Sequence, residues 1–296
     1  ISTYLSIKIF INIYKNSNIS FLDIFLISLT TSFLISIRIL GILILLQYLI
    51  TFVITSRLTK ESIIEIVRIN IFKLFLFILF TFLLIIFFNP IFWFNPLLFF
   101  DSINQMRNIQ YGVCTLTLGN CMDALNLPSS YIFIWLFFKL PLLAFVGFIL
   151  FPFIEKKIFN DSKNQIIIGS ILLTIVSIIF LFIFFDVNQY DELRHVLFLF
   201  SLILIVSFSI IYFFSKKIIL FISVLSIFYF VIQNVNMYPY QYTWFNLFGN
   251  FVDISKNFEV DYWGVSGKNI AKRINNNDKI LSIKDKCIYV SPKHVV

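Results

Sequence analysis

Residues 165–185 read QIIIGSILLTIVSIIFLFIFF, a run without one charged side chain. A helix crosses a hydrocarbon core with about 20 mainly apolar residues at about 1.5 Å per residue, and this run meets that length. Further apolar windows fall near 70–88, 130–151, 195–214 and 217–234. The stretch 20–56 is too long for one span, and Arg38 and Gly41 in its middle divide it into 20–37 and 39–55. The chain is 59% hydrophobic and 13% charged, against about half and about a quarter in soluble domains. The expected fold class is therefore an α-helical polytopic membrane protein of about seven spans. The bundle is expected over residues 1–235, with an outer loop at 89–129.

In such a chain the net charge of +8 and the pI near 9.3 bear on topology, and no nucleic-acid partner is expected. Arg57, Lys60, Arg68, Lys73, Lys156, Lys157, Lys163, Lys216 and Lys217 flank one set of helix ends, whereas loops 89–129 and 186–194 hold only Arg107 and Arg194. Basic loops stay in the cytoplasm, so the sparse loops and everything after residue 235 are expected outside. Residues 236–296 turn aromatic and polar and then ordinary, with a helix expected near 264–276 and strand-like runs KILSI and CIYVS. They read as a small, truncated extracytoplasmic α/β tail. The chain opens on Ile1 without a leader pattern and is read as a segment cut at both ends.

Polar residues are scarce enough for each cluster to count. NQYDELRHVLFLF (188–200) packs two carboxylates, an arginine and a histidine between apolar runs. Asp191 and His195 are four apart and Asp191 and Arg194 three apart, so a helix puts them on one face. An interfacial turn explains Asp191 and Glu192 at a helix N-terminus but leaves Arg194 and His195 unexplained. Arginine's fork of donors suits phosphate. Asp191 with His195 supplies only two ligands, short of a metal site, and no cofactor is called for.

Lys139, in YIFIWLFFKLPLLAF, sits deep in an expected span beside Pro141. A lysine there either finds a partner or snorkels to the interface. Arg38, in ISIRILG, poses the same question. Next, MYPYQYTWFN (237–246) and FEVDYWG (258–264) bring Tyr242, Trp244 and Trp263 close in sequence to Asn246, Glu259 and Asp261. An interfacial aromatic belt accounts for the rings alone. Rings together with carboxylates and an amide suit a sugar, whose faces stack and whose hydroxyls need polar partners. An oxidising compartment permits a Cys114–Cys121 disulfide. No P-loop, GxGxxG, HExxH or GxSxG is present.

Together these segments resemble the bacterial membrane glycosyltransferases of the GT-C superfamily. LPSSYIFIWLFFKLPL resembles the helix returning from that family's large outer loop, and YDELRH its YDG-RH segment. MYPYQYTWFN and FEVDYWGVS resemble its HPYEYVYFN and FELDYWG segments, and TTSFLISIRILG its short-helix stretch with a basic residue before glycine. Met237 stands in place of the pattern's His, and Glu192 in place of its usual Gly.

The resemblance implies an integral-membrane transferase of the protein mannosyltransferase or lipid A aminoarabinose transferase type, in the bacterial cytoplasmic membrane with the tail outside. Its donor would be a polyprenyl-phosphate-linked sugar and its acceptor a lipid, glycan or protein. Arg38, Lys139 and Arg194 would meet the donor phosphate. Tyr190, Asp191, His195, Tyr242, Trp244, Asn246, Glu259, Asp261 and Trp263 would shape the sugar and acceptor pocket. The family's catalytic carboxylate lies in a first outer loop that these residues do not include, so no catalytic base is assigned. Competing classes are a secondary transporter or lipid flippase, which predicts matched discontinuous helices in two halves, and a non-catalytic membrane subunit.

Overall fold

The computed structural model describes residues 1–15, 19–59, 62–102, 114–187, 189, 192–261, 264–265, 267 and 272. The expected tail strands and most of the expected tail helix lie outside these residues. Among the described residues the chain is an α-helical membrane protein with one small hairpin. Five helices are long and apolar enough to cross a bilayer, Ile39–Thr59, Ile63–Phe88, Ser162–Phe184, Leu197–Phe214 and Lys216–Asn236. A sixth is counted if Tyr131–Lys139 and Leu142–Phe159 form one interrupted span. Each of the seven apolar windows lies on helix, and one helix over Ser2–Tyr14 was not expected, because Ser2, Ser6 and Lys8 interrupt its apolar pattern.

The helices are labelled α1 (Ser2–Tyr14), α2 (Phe21–Ile37), α3 (Ile44–Thr59), α4 (Ile63–Phe88), α5 (Tyr131–Lys139), α6 (Leu142–Phe159), α7 (Ser162–Phe184), α8 (Leu197–Phe214) and α9 (Lys216–Asn236). The chain divides into two compact units. The first is Ile1–Tyr111, Ala144–Val187 and His195–Ile219; the second is Gly112–Leu143, Asn188–Arg194 and Leu220–Val296.

In the first unit α2 and α4 begin alike. The Ser20 hydroxyl accepts from the Asp23 amide, and the Ser62 hydroxyl from the Glu65 amide, each at 3.1 Å. Both starts satisfy amides that a helix leaves open, with an acidic residue near the positive end of the dipole. The two helices then run parallel. The Ser28 hydroxyl donates to the Phe77 carbonyl at 3.3 Å, Phe33 meets Phe88 edge to face, and the Asn89 amide reaches the Ser36 hydroxyl at 2.8 Å. Parallel neighbours require an intervening return, which α3 provides.

The reversal between α2 and α3 depends on Gly41. A Cβ there would lie 2.4 Å from the Leu34 carbonyl oxygen, and the Gly41 amide donates to Arg38 at 2.7 Å. Arg38 is thus the residue at which α2 stops. On α3, the buried side chains Gln47, Thr51 and Thr55 repeat every fourth residue along one face, and Thr3 of α1 donates to Gln47 Oε1 at 3.0 Å. Small polar residues let helix backbones approach closely where apolar burial gives no drive against lipid. The same logic joins α6 to α8, where Gly147 lies against Ser207 and the Lys157 ammonium caps the Phe213 carbonyl at 2.8 Å. By contrast α9, most of which belongs to the second unit, buries none of its residues.

In the second unit β1 (Cys114–Thr117) and β2 (Asn120–Asp123) form an antiparallel hairpin through Leu118 and Gly119, at φ 50° and 77°. Positive φ at both turn residues matches the strand twist. The Glu259 amide donates to the Leu116 carbonyl and Gly119 donates to the Asn257 carbonyl, each at 3.0 Å. The segment around Phe258 therefore lies along β1.

A methyl group at position 147 would fall 2.5 Å from Ser207 Cβ and 2.6 Å from its Cα, so Gly147→Ala must push α6 from α8. The expected cost is about 1–3 kcal/mol, read as a lower thermal unfolding midpoint in detergent. An unchanged midpoint would mean that the two helices do not cross there.

Candidate functional site

Helix α5 is nine residues long and builds the densest site of the second unit. Tyr131, Trp135 and Lys139 follow one another at intervals of four, which places them along one face. All three are buried, Trp135 at 0% and Lys139 at 6% exposure. Lys139 does not snorkel. Its ammonium lies 2.8 Å from Glu192 Oε2, in a pair whose side chains are each 7% exposed. It also donates to the Tyr242 carbonyl at 3.4 Å and sits 4.1 Å from the Phe245 ring centroid and 5.7 Å from that of Trp135. Carboxylate, carbonyl and two ring faces thus surround one cation.

Glu192 is held at a second point, since the Tyr131 hydroxyl donates to its carbonyl at 3.3 Å. Its backbone has φ 62°, the left-handed region in which residues with a Cβ are uncommon. In the sequence Glu192 reads as a carboxylate of an interfacial turn and as a departure from a glycine pattern, not as the partner of Lys139. The depth of Lys139 leaves a partner and snorkelling both open, and nothing in the sequence chooses Glu192 over its neighbour Asp191.

Around this pair lies an aromatic cluster. Trp135 meets Phe258 edge to face at 5.1 Å, and Phe245 and Phe138 meet Phe258 at 5.4 and 4.8 Å. The Trp135 indole donates to the Thr117 hydroxyl at 3.2 Å, so the hairpin fixes the ring plane. Cys114 and Cys121 form a disulfide with Cα atoms 5.4 Å apart, which closes that hairpin covalently.

Asn246 ends the helix. Its side-chain amide donates to the carbonyls of Phe137 and Leu140 at 2.6 and 2.8 Å, and its backbone amide to Phe138 at 2.9 Å. Pro141 lacks an amide with which to continue α5, and the final carbonyls of a helix need outside donors; Asn246 supplies them. Its side-chain oxygen accepts from Phe248 at 3.0 Å, so this amide is committed to backbone. The Tyr242 hydroxyl donates to Asp261 Oδ1, which also accepts from the Val265 amide at 3.0 Å.

Of the residues singled out from sequence, the structure brings together Lys139, Tyr242, Asn246 and Asp261, with Glu259 tied to β1 by its backbone. Arg194 follows Glu192 by two positions on the same half-buried turn. Arg38 and His195 belong to the first unit. Tyr190, Asp191 and Trp263 lie outside the described residues. Among the described residues of the second unit, the Trp244 indole nitrogen, Gln189 Oε1 and Thr115 Oγ1 are buried side-chain atoms without a hydrogen-bond partner, and neither Gln189 nor Thr115 stands out in the sequence. Among the described residues no three His, Cys, Asp or Glu side chains gather as metal ligands. Compared with protein-family models, curated proteins and solved structures, the chain matches none.

Removing one member of a buried ion pair strands the other charge at a cost of about 3–5 kcal/mol, whereas replacing both with apolar groups of similar volume is often neutral. Lys139→Met should therefore lower the unfolding midpoint sharply, and Lys139→Met with Glu192→Met should restore most of it. Additive losses in the double variant would show that the two charges do not depend on each other. Non-reducing peptide mapping should recover Cys114 and Cys121 in one cross-linked product.

Proposed function

We propose that the chain is a membrane glycosyltransferase that moves a sugar from a polyprenyl-phosphate donor to an acceptor outside the cytoplasm. The observation that carries this reading is the Lys139–Glu192 pair, a cation buried in an apolar helix beside aromatic rings. Charges at such depth are expensive and mark binding or transport sites. Four features add support. Glu192 adopts the left-handed backbone that glycine takes freely, at the position where the resembled segment carries glycine. Among the described residues Trp244 and Gln189 offer an unmet donor and an unmet acceptor, and a sugar hydroxyl can serve either. The Tyr242–Asp261 contact ties the two tail segments on which the resemblance rests. The Cys114–Cys121 disulfide suits an oxidising compartment and so an outer position for the hairpin.

In this reading the chain spans the bacterial cytoplasmic membrane about seven times, each span needing about 20 residues, with the hairpin and tail outside. An acceptor hydroxyl gives its proton to a carboxylate base that none of these residues is assigned to be. Its oxygen attacks the anomeric carbon with inversion. The bond from that carbon to the phosphate oxygen breaks, and the lipid phosphate leaves with the electron pair. Lys139 and Arg194 are the cations of the second unit that stabilise the leaving charge.

A secondary transporter or flippase is the second reading, favoured by the interruption between α5 and α6 beside a buried cation. Reconstituted protein given a synthetic polyprenyl-phosphate sugar separates the two. The transferase reading expects glycosylated acceptor, with Arg194→Ala and Lys139→Ala each lowering kcat/KM at least tenfold. Normal transfer by both variants would sink the clamp. Movement of intact donor across the vesicle without transfer would favour the transporter.

A further inference from the structure

The ammonium of Lys139 is saturated. Glu192 Oε2 lies at 2.8 Å, the Tyr242 carbonyl at 3.4 Å, and two rings cover the remaining directions. At 6% exposure the side chain leaves, among the described residues, little room beside these partners for a further anion. If Lys139 meets a phosphate, as the reading above holds, the phosphate has to take the place of another group. The Tyr242 carbonyl is fixed in the main chain, and the rings of Trp135 and Phe245 are packed into the aromatic cluster. Among these partners Glu192 is the one that is an anion carried on a side chain, and so the one that another anion can replace.

We infer that the Glu192 carboxylate and the phosphate of a lipid-linked donor compete for Lys139, so that donor binding is an exchange of one anion for another. Charge balance favours exchange over addition. A phosphodiester and a carboxylate each carry one negative charge, so the buried cation stays neutralised throughout. Adding a second anion beside Glu192 would strand a charge at low dielectric, a far costlier arrangement. The turn that carries Glu192 also supplies the route. Arg194 lies two residues on and is half-buried, within about 7 Å of chain reach. A phosphate held first by that guanidinium would be bound to the same turn that carries the carboxylate it must displace. The competition makes Glu192 a determinant of donor affinity. A neutral headgroup cannot open the pair, whereas an anionic one can.

The exchange is tested on purified full-length protein in detergent at about pH 5, where a phosphate monoester, like the donor's diester, carries about one negative charge, with dodecyl phosphate as the probe and inorganic phosphate as a second arm. Calorimetry and the thermal unfolding midpoint are the readouts. Glu192→Gln keeps the size of the side chain and removes the competing charge. It should lower the Kd for dodecyl phosphate at least tenfold and raise the ligand-induced shift of the midpoint, because the phosphate replaces the missing carboxylate. Glu192→Asp, which restores an anion, should return the Kd toward that of wild type. Lys139→Met with Glu192→Met, the charge-free pair, should bind neither probe.

Equal Kd values for wild type and Glu192→Gln, with binding lost in the charge-free pair, would overturn the exchange while leaving Lys139 as a phosphate ligand. Undiminished binding by the charge-free pair would overturn the phosphate reading of Lys139 and the exchange with it. Equal responses to inorganic and dodecyl phosphate would overturn the lipid-borne source in favour of a free anion. If Glu192→Gln is too unstable to purify, Glu192→Asp set against wild type still decides. The shorter carboxylate, placed at greater distance from Lys139, should compete less well and bind dodecyl phosphate more tightly than wild type; weaker binding would overturn the exchange.

Discussion

A cation stripped of water has to be answered by something, and in this protein one lysine organises what surrounds it. The Lys139 ammonium fixes where Glu192 sits, and Glu192 in turn anchors the turn that carries Arg194. The Tyr242 carbonyl approaches the same ammonium, so the segment that carries Tyr242, Phe245 and Asn246 is drawn toward α5. None of these partners is interchangeable with solvent, because desolvating a charge costs several kcal/mol per ion unless geometry compensates. An apolar pair of the same volume would hold the helix as well, without the burden of an ion pair that must stay intact.

The two units solve the problem of a greasy chain in different ways. In the first, helix meets helix through serine, threonine, glycine and glutamine, with Gly41 and Gly147 at the closest approaches. Such contacts make an assembly whose parts are matched backbone to backbone. In the second, a nine-residue helix is surrounded by loops, a disulfide-closed hairpin and a cage of aromatic rings. Its order comes from specific donors and acceptors. The hydroxyl of Thr117 orients Trp135, and the carbonyl of Leu116 holds the Glu259 amide.

What the sequence made legible follows from how each signal arises. The apolar windows are long-range averages, and each lies on helix; the division at Arg38 and Gly41 was readable because a charge and a glycine interrupt a greasy run together. Pro141 was readable as a disturbance and proved to be a full interruption, since the chain supplies a cap from Asn246. Other features were not readable. The hairpin turn at Leu118–Gly119 lacks the Asn-Gly or Asp-Gly pair that usually marks such a turn. Helix α1 was hidden because its buried positions include Ser2 and Ser6. Asn246 looked like a ligand for a sugar because an amide beside aromatic residues suits one. Its actual partners, the carbonyls at the end of α5, lie more than 100 residues away in sequence. Partner choice at that separation leaves no local pattern.

The cap on α5 also sets a clock on biogenesis. While the ribosome is still making α6 to α9, the carbonyls of Phe137 and Leu140 have been synthesised and their donor has not. The end of α5 therefore stays chemically incomplete while α6 to α9 are inserted. The second unit closes only when residue 246 has emerged and reached it. A stop codon or a cleavage placed just before Asn246 would thus leave every membrane helix through α9 made, yet deprive α5 of its finish.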